Sequence, residues 1–248
     1  MASDNLPIDI LEFVTREQKN FLVSLHNQKE EIAALQHLQG LYEASLTLKE
    51  VDEKDLIIIQ LLTFIHYHYL YATASYMRCH LNEAYASGRI AIDAALNAGL
   101  ILQDRSLQVK YLNREAPFDK TVRHYKSLPK KGLEVHKFIP ALIDINQKCS
   151  MLCHADISSF LHRVNIEKSK ETQTLYVQYF QFSQDKNEFK IHFLQTIQIF
   201  VLCLEIFSEF LVDEKKILPK KWHEELTELG TAIETKINQL RKLLNTSE

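Results

Sequence analysis

The chain has 248 residues, a size that fits one large domain or two small ones and buries a sizeable core either way. Hydrophobic residues make up 46% and charged residues 25%, while five glycines and five prolines favour long helices over a β-rich or disordered chain. The net charge of −3 argues against a generally basic nucleic-acid binder, leaving room only for a local patch.

Leu6 to Lys49 carries Phe21, Leu22, Leu25, Ile32, Leu35, Leu38, Leu41 and Tyr42 at a helical period. Pro7 suits an opening turn. This is one long helix, or two with a break near His26 and Asn27. Val51 to Asp55 then makes a tight connection, with Asp52 or Asp55 as N-cap.

Asp55 to Asp104 is the stretch around which the rest is expected to be arranged. It has no proline, and as one helix it would be about 70 Å long, so a bend is expected. Apolar residues cover most of its circumference, as in a helix enclosed by others. A polar stripe of Ser75, Arg78, Asn82, Arg89 and Asp93 returns to about the same face. Arg89 and Asp93, one turn apart, form either an ion pair that registers helices or one side of a polar pocket.

Beyond Arg105 the pattern weakens, punctuated by Pro117, Pro129 and Gly132, with a short helix from Phe118 to Leu128. Lys120, Arg123, His124, Lys126, Lys130 and Lys131 make the most basic patch. It is either a solvated face or a place for an anionic ligand or RNA phosphates, to which Arg78 adds a further cation. Leu133 to Asp156 reads as a helix, with Pro140 in its first turn or kinking it. Phe160 to Ile166 and Thr174 to Phe182 look extended, the second being rich in aromatic and β-branched residues. With a polar turn between them they form an inserted β-hairpin. Two helices close the chain, about Asn187 to Glu214 and Pro219 to Leu244, the last docked by Trp222.

Cys79, Cys149, Cys153 and Cys203 show no disulfide spacing, and the acidic N-terminus has no signal-peptide pattern, so reduced thiols in the cytoplasm are expected. The apolar run from Ile191 to Val212 is interrupted by Gln195, Gln198, Glu205 and Glu209. That reads as a buried core helix rather than a membrane span.

Ser150 and His154 share a helix face, with Asn146 a turn earlier. If this face meets the central helix, Arg89, Asp93, Ser150 and His154 form one internal cluster. As an active site it would use Arg89 on phosphate and His154 as acid or base. The cysteines and histidines lack zinc-site spacing, so no metal and no cofactor is expected.

Arg89-Ile-Ala-Ile-Asp93, with the later Ser150-x-x-x-His154, resembles an uncharacterised bacterial helical family. Its members carry Arg-x-x-x-Glu and Ser-x-x-x-His, and it is similar to the HEPN superfamily of helical RNases and nucleotide-associated proteins. The resemblance spans about residues 60 to 160 and implies a helical fold with a polar cluster, in a defence or stress setting. Asp93 stands where glutamate is usual, and no arginine has a histidine five to seven positions later. RNase activity through the HEPN R-x4–6-H motif is therefore not implied.

The expectation is a single all-α domain over 1–248: five to seven bundled helices with one inserted hairpin at about 160–182. Functionally it is a cytosolic binding or regulatory module. The rivals are a metal-independent RNase or nucleotide-processing enzyme, and a structural protein with no site. RNA or a small anion are the candidate partners, a membrane is not, and the dense apolar helices are compatible with a homodimer.

Overall fold

The computed structural model describes residues 9–47, 51–129, 134–153, 164–168, 173–177, 179–180 and 185–245. Of Asp119, Cys153 and the residues in 164–177 it describes the backbone only. The fold is of the all-α class, with nine α-helices among the described residues, more than the five to seven expected. Two causes account for the excess. The central stretch divides in two, and a short helix forms at Leu107–Leu112, where the sequence pattern weakens.

The first segment is two helices, α1 (Ile10–Asn27) and α2 (Lys29–Leu46), meeting at Gln28. Asp9 caps α1 by accepting from the Glu12 amide at 2.9 Å. Neither Asp52 nor Asp55 caps the next helix with its side chain. A 3-10 turn at Glu53–Asp55 leads instead into α3 (Leu56–Met77), and the buried Asp55 carboxylate is held by cations.

The expected bend is a full reversal. After α3, Cys79 adopts φ 67°, the Cys79 amide donates to Tyr76 O, and the His80 amide donates to Ser75 O. Those two bonds close a Schellman motif, which ends a helix by placing one residue in the left-handed region. A cysteine there hides the stop signal that a glycine would display. The chain folds back as α4 (Leu81–Gln103), packed along α3. Ser75 and Arg78 thus belong to a different helix from Asn82, Arg89 and Asp93, and the single polar stripe does not exist.

The next helices are α5 (Leu107–Leu112), α6 (Thr121–Ser127) and α7 (Ile139–Cys153). Helix α7 starts six residues later than expected, with Pro140 in its first turn. Strands β1 (Val164–Lys168) and β2 (Gln173–Val177) pair antiparallel, Val164 opposite Val177 and Lys168 opposite Gln173. Glu167, Lys168 and Gln173, placed in the turn by the sequence reading, lie in this ladder. Residues 160–163, 178 and 181–182 of the expected strands lie outside the described residues.

Helix α8 (Lys186–Glu205) is the core element. Phe193, Phe200, Cys203 and Leu204 are fully buried, and α8 touches α2, α3, α4, α7 and the last helix, α9 (Lys220–Asn245). Distant parts of the chain tie their hydroxyls and indole to core carbonyls. Tyr42 donates to Phe200 O at 2.8 Å, Tyr76 to Phe189 O, and Trp222 Nε1 to Leu41 O at 3.1 Å. Each spares a buried polar group the cost of going unpaired. Two helices are long and apolar enough to cross a membrane, counting their flanking turns: Glu53–Met77 and Lys186–Glu214.

Candidate functional site

Helices α4 and α7 meet, but the polar contact between them is made by Asn146, which is not one of the four residues expected to cluster. Asn146 Nδ2 donates to Asp93 Oδ1 at 2.8 Å, and Asn146 itself is buried. Contact with α7 partly desolvates the Asp93 carboxyl and raises its pKa, opposed by the Asn146 bond and the charge of Arg89. Asp93 keeps an exposed edge, and Arg89 is half-buried. Ser150 does not join them by hydrogen bond: its Oγ donates to Asn146 O of its own helix at 2.8 Å. His154 lies outside the described residues.

The proposed anion-binding residues do not form one patch. Arg78 is exposed at the end of α3, while Arg123 and Lys126 are exposed and His124 half-buried on α6. Helix α6 rests on the far half of α4, through Thr121 to Asn97 at 2.7 Å and Tyr125 to Leu96 O at 2.9 Å. The start of α4, beside Arg78, lies roughly 24 Å away along the helix axis. Lys130 lies outside the described residues. Cys79, Cys149 and Cys203 are buried thiols outside any disulfide, and burial pushes Cys79 up to about 11. Among the described residues no group of three or more His, Cys, Asp or Glu side chains is placed to hold a metal ion.

Two buried polar arrangements escaped the sequence reading. Inside the α4–α8 contact, Tyr85 Oη lies 2.8 Å from His192 Nδ1 and 3.3 Å from Gln195 Oε1. At the end of α8 the buried Glu205 meets His223 Nε2 at 3.1 Å and accepts from Thr227 Oγ1 at 3.3 Å. Both join residues whose separation in the chain carries no pattern.

A third feature is a cleft of about 690 Å³ where α4, α6, the segment before α7 and the exit of α8 converge. It exists because α8 stops at Glu205 and the chain leaves through a wide π-turn, Phe210–Glu214, before α9. Gly99 makes the wall on the α4 side. A Cβ there would sit 2.7 Å from Tyr125 Oη, so only glycine lets that phenol reach Leu96 O undisturbed. Phe210 is buried beneath Arg105 and Lys215, whose charged groups lie 5.2 and 5.9 Å from the ring centre.

These cations brace the rim. Arg105 Nη2 donates to both oxygens of Glu214, at 2.9 and 2.8 Å, and lies 3.9 Å from Asp55. Lys215 pairs with Asp55 and, at 3.0 Å, with Asp52. Its hydrogen bond to Asp55 is the main influence raising the Lys215 ammonium, and that to Lys215 the main one lowering the Asp52 carboxyl. The charged lining of the cleft is Glu134, Glu209, Asp213 and Glu214 against Lys137, together with His136. Burial lowers the His136 imidazole; Glu209 opposes this, while Lys137 and His223 add to it. Such a cleft holds a ligand-sized volume, fixed polar groups and an excess of negative charge. No protein-family model, no curated protein and no solved structure matches this chain.

Proposed function

We propose that this protein is a helical binding module that takes a small cationic ligand, an organic amine, in the cleft between Tyr125, His136, Glu209 and Phe210. The observation that carries the reading is the cleft itself: about 690 Å³, lined by Glu134, Glu209 and Asp213 against Lys137, with the fourth carboxylate, Glu214, already paired with Arg105. That volume lies within the range of small-molecule sites. The charge balance attracts an ammonium and repels phosphate or RNA, the reverse of the anionic partner expected from the basic patch. His136, whose Nδ1 accepts from the Phe138 amide at 3.5 Å, has its imidazole pKa lowered by burial and so adds no lasting positive charge to oppose an ammonium. In this reading the Asp93–Asn146 contact fixes the register of α4 against α7 and performs no chemistry.

The test is calorimetric titration with a panel of alkyl monoamines and diamines, and with matched carboxylates as controls. Binding of at least one amine, weakened about tenfold or more by Glu209→Gln, is expected, since loss of a charged hydrogen bond costs about 1.5–3 kcal/mol. Binding of no amine, or equal binding of the carboxylates, would contradict the proposal. Glu209 is exposed, so its substitution leaves the core intact.

A further inference from the structure

Helix α3 has one face in the core and another in solvent, and the solvent face is the unusual one. From Leu56 to Met77 there is no Asp, Glu, Lys or Arg. Phe64, Tyr67, Leu70 and Tyr71 are 44%, 58%, 47% and 49% exposed, and Gln60 lies exposed one turn before Phe64. Their spacing makes one continuous stripe along the helix. Contiguous apolar stripes of this kind mark a surface that meets something.

The rings are already ordered. Tyr67 stacks on Tyr71 with centroids 6.4 Å apart and planes at 16°. Phe64 and Tyr67 both meet the His68 ring edge-on, at 4.5 and 5.2 Å. Side chains held this way lose little freedom on binding, which favours association.

We propose that the occupant of this face is a second copy of the same chain, packed through an antiparallel α3–α3 contact. The charges flanking the helix favour this choice. Glu53 precedes α3 and Arg78 follows it, both exposed. An antiparallel pair centred between Phe64 and Tyr67 sets Arg78 of each copy beside Glu53 of the other. The same register lays Phe64 on Tyr67 of the second copy and brings the Gln60 amide to the Tyr71 hydroxyl. One alignment thus satisfies the aromatic, polar and charged groups together, as a two-fold interface requires. A lipid surface fits less well. Tyrosines of membrane helices gather at headgroup depth near the ends, whereas Tyr67 lies at the middle of α3. A single helix pair is a small interface, so the dimer dissociates in the micromolar range. This inference does not depend on the cleft.

Sedimentation equilibrium of the full chain up to about 100 µM tests it, a range that covers weak interfaces. The wild type is expected to dimerise, and Tyr67→Glu to abolish the dimer while leaving the far-ultraviolet circular dichroism unchanged. Glu53→Arg and Arg78→Glu should each weaken association about threefold to tenfold, and the double exchange should restore it. A wild type that stays monomeric overturns the proposal, and flotation with phosphatidylcholine vesicles would then assign the face to lipid. A dimer that survives Tyr67→Glu, or a double exchange that restores nothing, overturns it as well.

Discussion

Helices α3 and α8 have nearly the same hydropathy and opposite fates. Counting flanking turns, both are long and apolar enough to cross a membrane, yet 78% of the most apolar window in Lys186–Glu214 is buried against only 39% in Glu53–Met77. The more polar residues of α8 do not expose it. Glu205 is matched by His223 and Thr227, and Thr196 by the His192 carbonyl at 2.9 Å. Helix α3 carries no charge of its own and leaves Phe64, Tyr67, Leu70 and Tyr71 in solvent. Apolar content says how much surface a helix has to hide, and its place in the bundle decides whether the monomer hides it. Helix α8 touches five other helices, whereas α3 touches four and keeps its Phe64–Tyr71 face in solvent.

The largest expected effect separates the two helices directly. Phe200→Ala in α8 empties a fully buried site and should cost about 3–5 kcal/mol. Phe64→Ala in α3 should cost within about 1 kcal/mol when the protein is dilute. Urea denaturation measures both, and equal losses would erase the distinction.

The next test concerns how α3 is pinned to the exit of α8. Removing the ammonium with Lys215→Ala leaves the 3%-exposed Asp55 facing only Arg105 at 3.9 Å. A loss of about 1–3 kcal/mol follows for a buried group deprived of its partner. No change in the urea midpoint would mean that these turns are held by packing alone.

How much of this was legible in the sequence depends on where each signal resided. Helical periods were legible, as were the buried nature of the Ile191–Val212 run and the docking of Trp222, because each is local or depends on one large residue. The reversal at Cys79 was not, since a left-handed cysteine looks like any buried thiol. Treating residues 55–104 as one enclosed helix then joined Ser75 and Arg78 to a face they do not share. The Asp93–Asn146 contact matched two faces correctly as neighbours, although Ser150 turned to its own helix. The cleft left no trace because its lining comes from the ends of several elements, and ends lack a period.

Smaller effects sharpen the comparison further. Asn146→Ala removes the donor to Asp93 on the other side of α4, and should cost about 1 kcal/mol because the carboxylate keeps access to water. An unchanged melting temperature would contradict a registering role for that contact.

The smallest effect is in the pH dependence of α3. Burial holds the His68 imidazole below its ordinary value of 6.5. As pH falls the unfolded chain takes up this proton first, so the folded state is favoured fully only above the unfolded pKa. That contribution is lost as pH drops through the lower, folded value. Urea midpoints at about pH 7.5 and about pH 5.5 should differ less in His68→Phe than in the wild type. An unaltered difference would assign the acid sensitivity to other groups.

Hydroxyl-radical footprinting read by mass spectrometry, at two protein concentrations, tests the division between the helices most directly. Phe64, Tyr67 and Tyr71 should be labelled in dilute solution and progressively protected as concentration rises. Phe193 and Phe200 of α8 should stay protected throughout. Labelling of α3 that ignores concentration, or labelling of the α8 rings to a comparable extent, would contradict the account.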